Sequence, residues 1–258
     1  MIKLSIIVPS ISPDKWLGMY NGVKNSCKNH EFELIFVGPS YTNDLDGLYN
    51  IKYVKDLGCP SRCLQIGSLL AEGEYIAWAA DDYLVEENAF DLTFEYLEGQ
   101  NVQDDGINLL YTEGVDFSGN QDRDPSYWVA HTHADLRHPG VMRHWTINPV
   151  FMYRTETWYK FGGLDCSFEH VNMNAHDLAF SIQAKEGRII KSPVRVYRAN
   201  WKPWNDTDKH PIQLAWEEND RPRFYELYQN INQALERRVD LNNWKNSAAV
   251  WPRRNQKQ

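Results

Sequence analysis

Short apolar runs, each closed by a turn former and followed by residues at helical spacing, organise the first part of this chain. Leu4-Ser5-Ile6-Ile7-Val8 is a β-branched run stopped by Pro9, as a buried strand of a parallel sheet would be. From Pro13 to Cys27, Trp16, Leu17, Tyr20 and Val23 recur along one face, which predicts a helix with proline in its first turn. Glu33-Leu34-Ile35-Phe36-Val37 reads as a second strand, closed by Gly38-Pro39-Ser40. A shorter strand is expected at Ile51 to Val54 and a helix at Pro60 to Ala71. Glu74-Tyr75-Ile76-Ala77-Trp78-Ala79-Ala80 is the next buried strand, and helical spacing resumes from Glu86 to Leu97 before a strand at Ile107 to Thr112. This alternation, with right-handed crossovers, predicts an α/β protein built on a doubly wound, mostly parallel sheet whose first βα turns form a nucleotide crevice.

The pattern loosens over residues 114–146, which are rich in Asp, His, Pro and aromatic residues, including His131, His133, His138 and His144. A long irregular segment in a compact domain is typically a functional loop or lid. The His131-x-His133 spacing could chelate a metal if it lay on a strand, a reading that the pair alone does not establish. Regular structure is expected again at Asn148 to Tyr153, in helices from Thr155 and from Ala175 to Glu186, and in a strand ending near Tyr197. Closing helices are expected at Pro211 to Glu217 and at Pro222 to Arg237, the latter with Asp220 as N-cap.

A chain of 258 residues without a Pro/Gly/Ser-rich linker or repeat fits a single compact domain. The net charge of −8 and the lack of a basic stripe exclude nucleic acid as the main partner. The one basic cluster, Arg253-Arg254-Asn255-Gln256-Lys257, follows Trp244 and Trp251; it reads as a solvated terminus or as weak peripheral contact with an anionic membrane. No apolar stretch approaches the roughly 20 residues that span a bilayer, and Met1-Ile2-Lys3-Leu4 lacks a signal-peptide layout. The expectation is a cytoplasmic protein, with any membrane contact peripheral and at the inner face. Cys27, Cys59, Cys63 and Cys166 are too scattered for a disulfide framework, and the Cys59/Cys63 pair has no second pair to complete a zinc site, so reduced thiols are expected.

Asp81 and Asp82 carry the first candidate chemistry. Ligands of open α/β sheets bind outside the carboxyl ends of the strands, and hard carboxylate oxygens there suit Mg²⁺ or Mn²⁺ carrying phosphate. The alternative is that the pair only turns the chain or caps the next helix.

Taken together, four segments resemble the family 2 glycosyltransferases of the GT-A fold, over roughly residues 3–190. They are Leu4 to Pro9, Glu33 to Val37, Gly73 to Asp82, and Phe161-Gly162-Gly163-Leu164-Asp165 followed by His176-Asp177-Leu178, in the family's order. The resemblance implies a Rossmann-like sheet with a nucleotide-sugar half at about 1–105, an acceptor half at about 106–210, and a helical extension with a basic tail at 211–258. It also implies inverting transfer from a nucleotide-diphosphate sugar, with UDP the leading donor nucleotide, to a hydroxyl on a glycan or lipid-linked acceptor.

On this resemblance Asp177 is the general base that takes the acceptor proton, kept ionised by a position at the start of a helix. Asp82 is the first ligand of Mn²⁺ or Mg²⁺, and His210 a second. Pro9, Ser10, Gly38, Arg62 and Asp81 fall in the nucleotide crevice, Arg62 toward phosphate. Trp145, Gly163, Asp165 and His176 fall on the substrate side, as do Trp201 and Trp204, whose rings suit a sugar face.

The chain departs from the family pattern at three places. The usual Asp-x-Asp is Ala80-Asp81-Asp82, without its first carboxylate; the acidic end of the second strand is Gly38-Pro39-Ser40; and Glu-Asp is His176-Asp177. Two other readings therefore stand: a non-catalytic glycan-binding protein of the same fold, and another metal-dependent nucleotide-sugar enzyme. Against the latter, Pro9-Ser10-Ile11-Ser12-Pro13 lacks the Gly-rich basic loop of nucleotidyltransferases.

Overall fold

The structure, a computed structural model, describes residues 1–109, 131–132, 144–145, 148–199 and 211–255. The strands are β1 (Leu4–Pro9), β2 (Phe32–Gly38), β3 (Ile51–Lys55), β4 (Tyr75–Trp78), β5 (Tyr83–Val85), β6 (Gly106–Asn108), β7 (His131–Thr132), β8 (His144–Trp145), β9 (Phe151–Arg154), β10 (Ile189–Lys191) and β11 (Tyr197–Ala199). The α-helices are α1 (Trp16–Ser26), α2 (Pro60–Ser68), α3 (Ala89–Glu98), α4 (Thr155–Phe161), α5 (Val171–Gln183), α6 (Pro211–Ala215), α7 (Arg221–Leu227) and α8 (Ile231–Glu236).

Seven strands form the main sheet in the order β10-β6-β9-β4-β1-β2-β3. β1 pairs in parallel with β2 and β4, β2 with β3, and β6 with β10; only β9 runs antiparallel, between β4 and β6. Because both faces are covered, the central strands are apolar along their length: Leu4, Ile6, Ile7 and Val8 of β1 and Leu34 to Val37 of β2 are wholly buried. The expected alternation of strand and helix is therefore what forms. β5 and β11 make a separate antiparallel ribbon just past Asp82.

Several boundaries differ from the sequence reading. The first helix is a 3₁₀ turn, Pro13–Lys15, running into α1. The stretch from Glu86 follows directly on β5 and opens instead with a turn through a left-handed Asn88 (φ 58°), so α3 starts at Ala89. α5 starts at Val171, a full turn before the expected Ala175, because His170 caps it and accepts from Asn172 N–H. The Pro222 to Arg237 helix is two helices. The chain breaks after Leu227, and Asn230 caps α8 by accepting from Gln233 N–H at 3.2 Å. Asp220 precedes α7 but forms no cap on it.

The carboxy-terminal residues are built onto the sheet's helices. Phe224, Tyr228, Ile231, Ala234 and Leu235 pack with Phe168 and Phe180 in a buried cluster against α5, and Trp251 is buried with Cys59 and Ala215. The two arginines of the expected basic tail are engaged there: Arg253 pairs with Glu169 and Glu218, and Arg254 donates to Asp56 O and Cys63 Sγ. All four cysteines are free and buried. Among the described residues, no helix is long and apolar enough to cross a membrane.

The seam between β1 and β2 tolerates no side chain at residue 38. Ser10 N–H donates to Val37 O at 3.0 Å, and a Cβ on Gly38 would lie 1.9 Å from the Ser10 carbonyl oxygen. Gly38→Ala should therefore cost about 1–3 kcal/mol by overpacking, read as a lower urea midpoint at unchanged slope; a stability equal to wild type would show that the seam yields.

Candidate functional site

The first part of the site is assembled where the carboxyl ends of β1 and β4 meet. Asp81 follows β4, and its Oδ2 accepts from Ser10 Oγ at 2.7 Å and from the backbone N–H groups of Ser12 and Ile11 at 3.2 and 3.3 Å. Ser10 Oγ also accepts from Trp16 Nε1 at 2.7 Å, which fixes the hydroxyl rotor toward Asp81. Pro9, Ser10, Gly38 and Asp81, expected in one crevice, are thus brought together. One oxygen of Asp81 serves to lock the turn after β1. Asp82, the next residue and half-buried, sits at the same strand end.

Beside this seam is an aromatic cluster that the sequence reading did not assign. Tyr41 lies 5.2 Å from Tyr53 and 6.2 Å from Trp16 between ring centroids, and Trp16 stacks on Phe36 at 4.2 Å. Tyr53 Oη and Asp56 N–H both donate to Gly38 O at 3.1 Å. The end of β2 therefore offers backbone and aromatic rings where an acidic side chain has no room.

Arg62 is not open toward the crevice. Its Nε and Nη2 donate to Asp56 at 3.1 Å, while Nη1 donates to the carbonyl oxygens of Trp244 and Ser247. Its guanidinium carbon lies 4.9 Å from the Trp244 ring centre. The expected phosphate contact is thus replaced, because Asp56 and the carboxy-terminal segment take its donors.

The second part of the site rests on a two-glycine turn after α4. Gly162 and Gly163 have φ of +85° and +69°, and a Cβ at either would collide, with Val239 O at 1.8 Å or Gln65 Oε1 at 2.3 Å. Gln65 of α2 donates to Gly162 O and Leu241 O at 3.1 Å and accepts from Leu164 N–H at 2.9 Å. Asp165, next in the turn, is tied to α5 by a reciprocal pair with Asn174, both bonds 2.9 Å.

Asp177 stands nearly two turns inside α5 and is only 3 % exposed. The expectation that a helix start keeps it ionised is therefore corrected: the terminal dipole fades within the first turn. Its charge is met by side chains from elsewhere. Tyr228 Oη donates to Oδ1 at 2.9 Å, Arg237 Nη2 pairs with Oδ2, and Arg237 Nη1 pairs with Asp165 Oδ2. Burial pushes the Asp177 carboxyl above its ordinary range, Arg237 pulls it back, and Asp165 adds a smaller upward push. His176 is buried beside it, its ring 6.4 Å from Phe180.

Residues 237–255 run as a strap along α2, linking the two parts. Val239 O faces Gly162, Leu241 O accepts from Gln65, Asn243 Oδ1 accepts from Cys166 N–H at 2.6 Å, and Trp244 lies on Arg62. The strap ends with Trp251 N–H donating to Leu57 O at 2.8 Å. Arg237, Tyr228 and Gln65 escaped the sequence reading because each acts on residues far away in the chain.

His210, Trp201 and Trp204 lie outside the described residues. Trp145 lies in β8, paired with His131 of β7. Among the described residues no group of three or more His, Cys, Asp or Glu forms a metal site.

This sheet, with the acidic strand end and the two-glycine turn before α5, is a GT-A glycosyltransferase fold. S. aureus TarS (residues 1–349, with UDP) superposes with a TM-score of 0.57 at 17 % identity, over 78 % of this chain and 61 % of that one. The same TarS fragment with UDP-GlcNAc gives 0.54 at 18 % identity, over 81 % and 62 %. The mannosyltransferase PcManGT from Pyrobaculum calidifontis, with GDP-Man and Mn²⁺, gives 0.58 at 13 % identity, over 89 % and 64 %. The chain thus spans somewhat under two thirds of the length of these three structures. No protein-family model and no curated protein sequence matches it.

Asp220 shows how the site is held. It reaches back to the start of α5, accepting from Glu169 N–H at 2.7 Å and His170 N–H at 2.8 Å, and burial pushes its carboxyl up to about 6 despite those bonds. The folded chain therefore binds this proton more tightly than the unfolded chain. The linked stabilisation is complete below the ordinary value of 3.8 and is lost as pH rises through about 6. The unfolding free energy of wild type minus that of Asp220→Asn should fall between pH 4 and 6, by about 1.4 kcal/mol per unit of separation, and then level off. A difference that rises with pH would refute this account.

Proposed function

We propose that the protein is an inverting, family 2-type glycosyltransferase that moves a sugar from a nucleotide-diphosphate sugar to a hydroxyl on a glycan or lipid-linked acceptor. The observation that carries this reading is the locking of Asp81 to the turn after β1, with half-buried Asp82 next to it at the same strand end of a GT-A fold. The bound UDP, UDP-GlcNAc and GDP-Man of the structural neighbours support a nucleotide-sugar donor, with UDP preferred. Residues up to about 105 form the donor half and about 106–210 the acceptor half. The nucleobase meets Tyr41, Tyr53 and the Gly38 backbone in place of an acidic side chain.

Asp82 is the carboxylate that would hold Mn²⁺ or Mg²⁺, with His210 as its second ligand. Such ions are commonly held by one or two carboxylates plus substrate phosphates, so the residues present fit one. Held there, such an ion would supply Lewis-acid neutralisation of charge on the departing diphosphate. Asp177 takes the acceptor proton. Each of its oxygens keeps a second lone pair beyond those used by Tyr228 and Arg237, and a carboxyl raised by burial is a better base than an ordinary aspartate.

A second reading, a non-catalytic glycan-binding protein, is favoured by the engagement of Asp177 and Arg62 with the protein itself. Thermal stability against UDP and GDP, with and without Mn²⁺, separates the two. A metal-dependent rise with one nucleotide, lost in Asp82→Ala, is expected; no rise with either moves the assignment to glycan binding. Asp177→Asn should keep that nucleotide response and lose transfer by 10²-fold or more, an order typical of a missing general base. Near-normal turnover in this variant would remove Asp177 from the role.

A further inference from the structure

Both carboxylates on the acceptor side, Asp165 and Asp177, converge on one cation. Arg237 follows α8 as its C-cap, its N–H donating to Gln233 O at 3.1 Å, and its two terminal nitrogens divide between them. Its Nε is buried and without a hydrogen-bond partner among the described residues, so the side chain's polar contacts are made by the fork alone. The backbone around it is pinned: α8 is buried against α5, and Val239 and Leu241 are held at Gly162 and Gln65. A guanidinium is suited to this position because it is planar, always charged and able to bond two acceptors at a fixed angle.

We propose that Arg237 is a positioning residue of the transfer site: its fork holds Asp177 in the orientation and charge state of a base while fixing Asp165 beside it. This rests on the glycosyltransferase reading for its purpose, but not for its physical content. The groups facing Asp177 are Arg237 from the strap, Tyr228 from the end of α7 and Asp165 from the glycine turn, while His176 precedes it on its own helix. Removing Arg237 leaves two carboxylates close together, one of them deeply buried, and Asp177 then retains its proton to higher pH. Removing the charge of Asp165 leaves the guanidinium to Asp177 alone and acts in the opposite direction.

The test is a carboxyl ¹³C NMR titration of aspartate-labelled full chain, with Asp177→Asn identifying the resonance. Arg237→Met should move the Asp177 titration up by a unit or more, Arg237→Lys should restore part of the shift, and Asp165→Asn should move it down. Should Arg237→Met fail to fold, the Lys and Asp165→Asn variants still give shifts of predicted and opposite sign. An unchanged Asp177 titration with only a lower melting point would overturn the proposal, leaving a structural ion pair. In parallel, nucleotide release from UDP-GlcNAc and GDP-Man is followed against pH. The acidic limb of kcat should move upward in Arg237→Met with little change in donor KM. If the wild type releases neither nucleotide while the NMR shifts appear, the transfer reading fails and the positioning role falls with it, the clamp standing as electrostatics alone.

Discussion

A carboxylate buried in the middle of a helix must find its counter-charge from another part of the chain, and the organisation around α5 follows from that requirement. Asp177 loses its water and gains Arg237, which arrives 60 residues later. For Arg237 to arrive reliably, α8 must dock on α5, the strap must pass Gly162, and the glycine turn must have no side chains in its path. Breaking such a pair by removing one partner typically costs about 3–5 kcal/mol, because the other charge is left buried. The packing of residues 228–255 is therefore bound to the same carboxylate that the proposed chemistry uses.

Much of the fold was legible because its signal is local. Apolar runs such as Leu4 to Val8 and Glu33 to Val37 declare themselves as buried strands through β-branching and turn formers, and they fall within a residue of their observed limits. The seam joining Ser10 to Asp81 was legible in outline, since both residues end strands that a parallel sheet puts side by side. Helix limits were less so. α5 starts early because His170 caps it, and Asp220 holds the two residues before it, Glu169 and His170, from some fifty residues away, beyond any spacing rule.

The site was legible by residue type and less by state. Asp165 and Asp177 stand together, but Asp177 is met by Arg237 from another part of the chain rather than by a helix end. Arg62 looks in sequence like a phosphate contact because it stands in the first turn of a helix; the structure turns it to Asp56 and to carbonyls of the strap. Charge pairing decided both cases, and pairing depends on which side chains meet in space. Gly38 is a third case, where a missing acidic side chain is explained by the approach of Ser10.

The strap also ties distant parts of the chain together. The contacts of the strap with Leu57, Arg62 and Gln65 span well over a hundred residues, which makes them among the longest-range in the chain. Until they form, Asp177 has a cheap alternative to an unpaired charge, which is to remain wet or protonated while α5 stays loosely docked. The surroundings of Asp177 are thus complete only when residues 237–255 are docked. A cut within residues 237–255 would therefore be felt at Asp177 before it is felt in the sheet, whose strands pair without the strap.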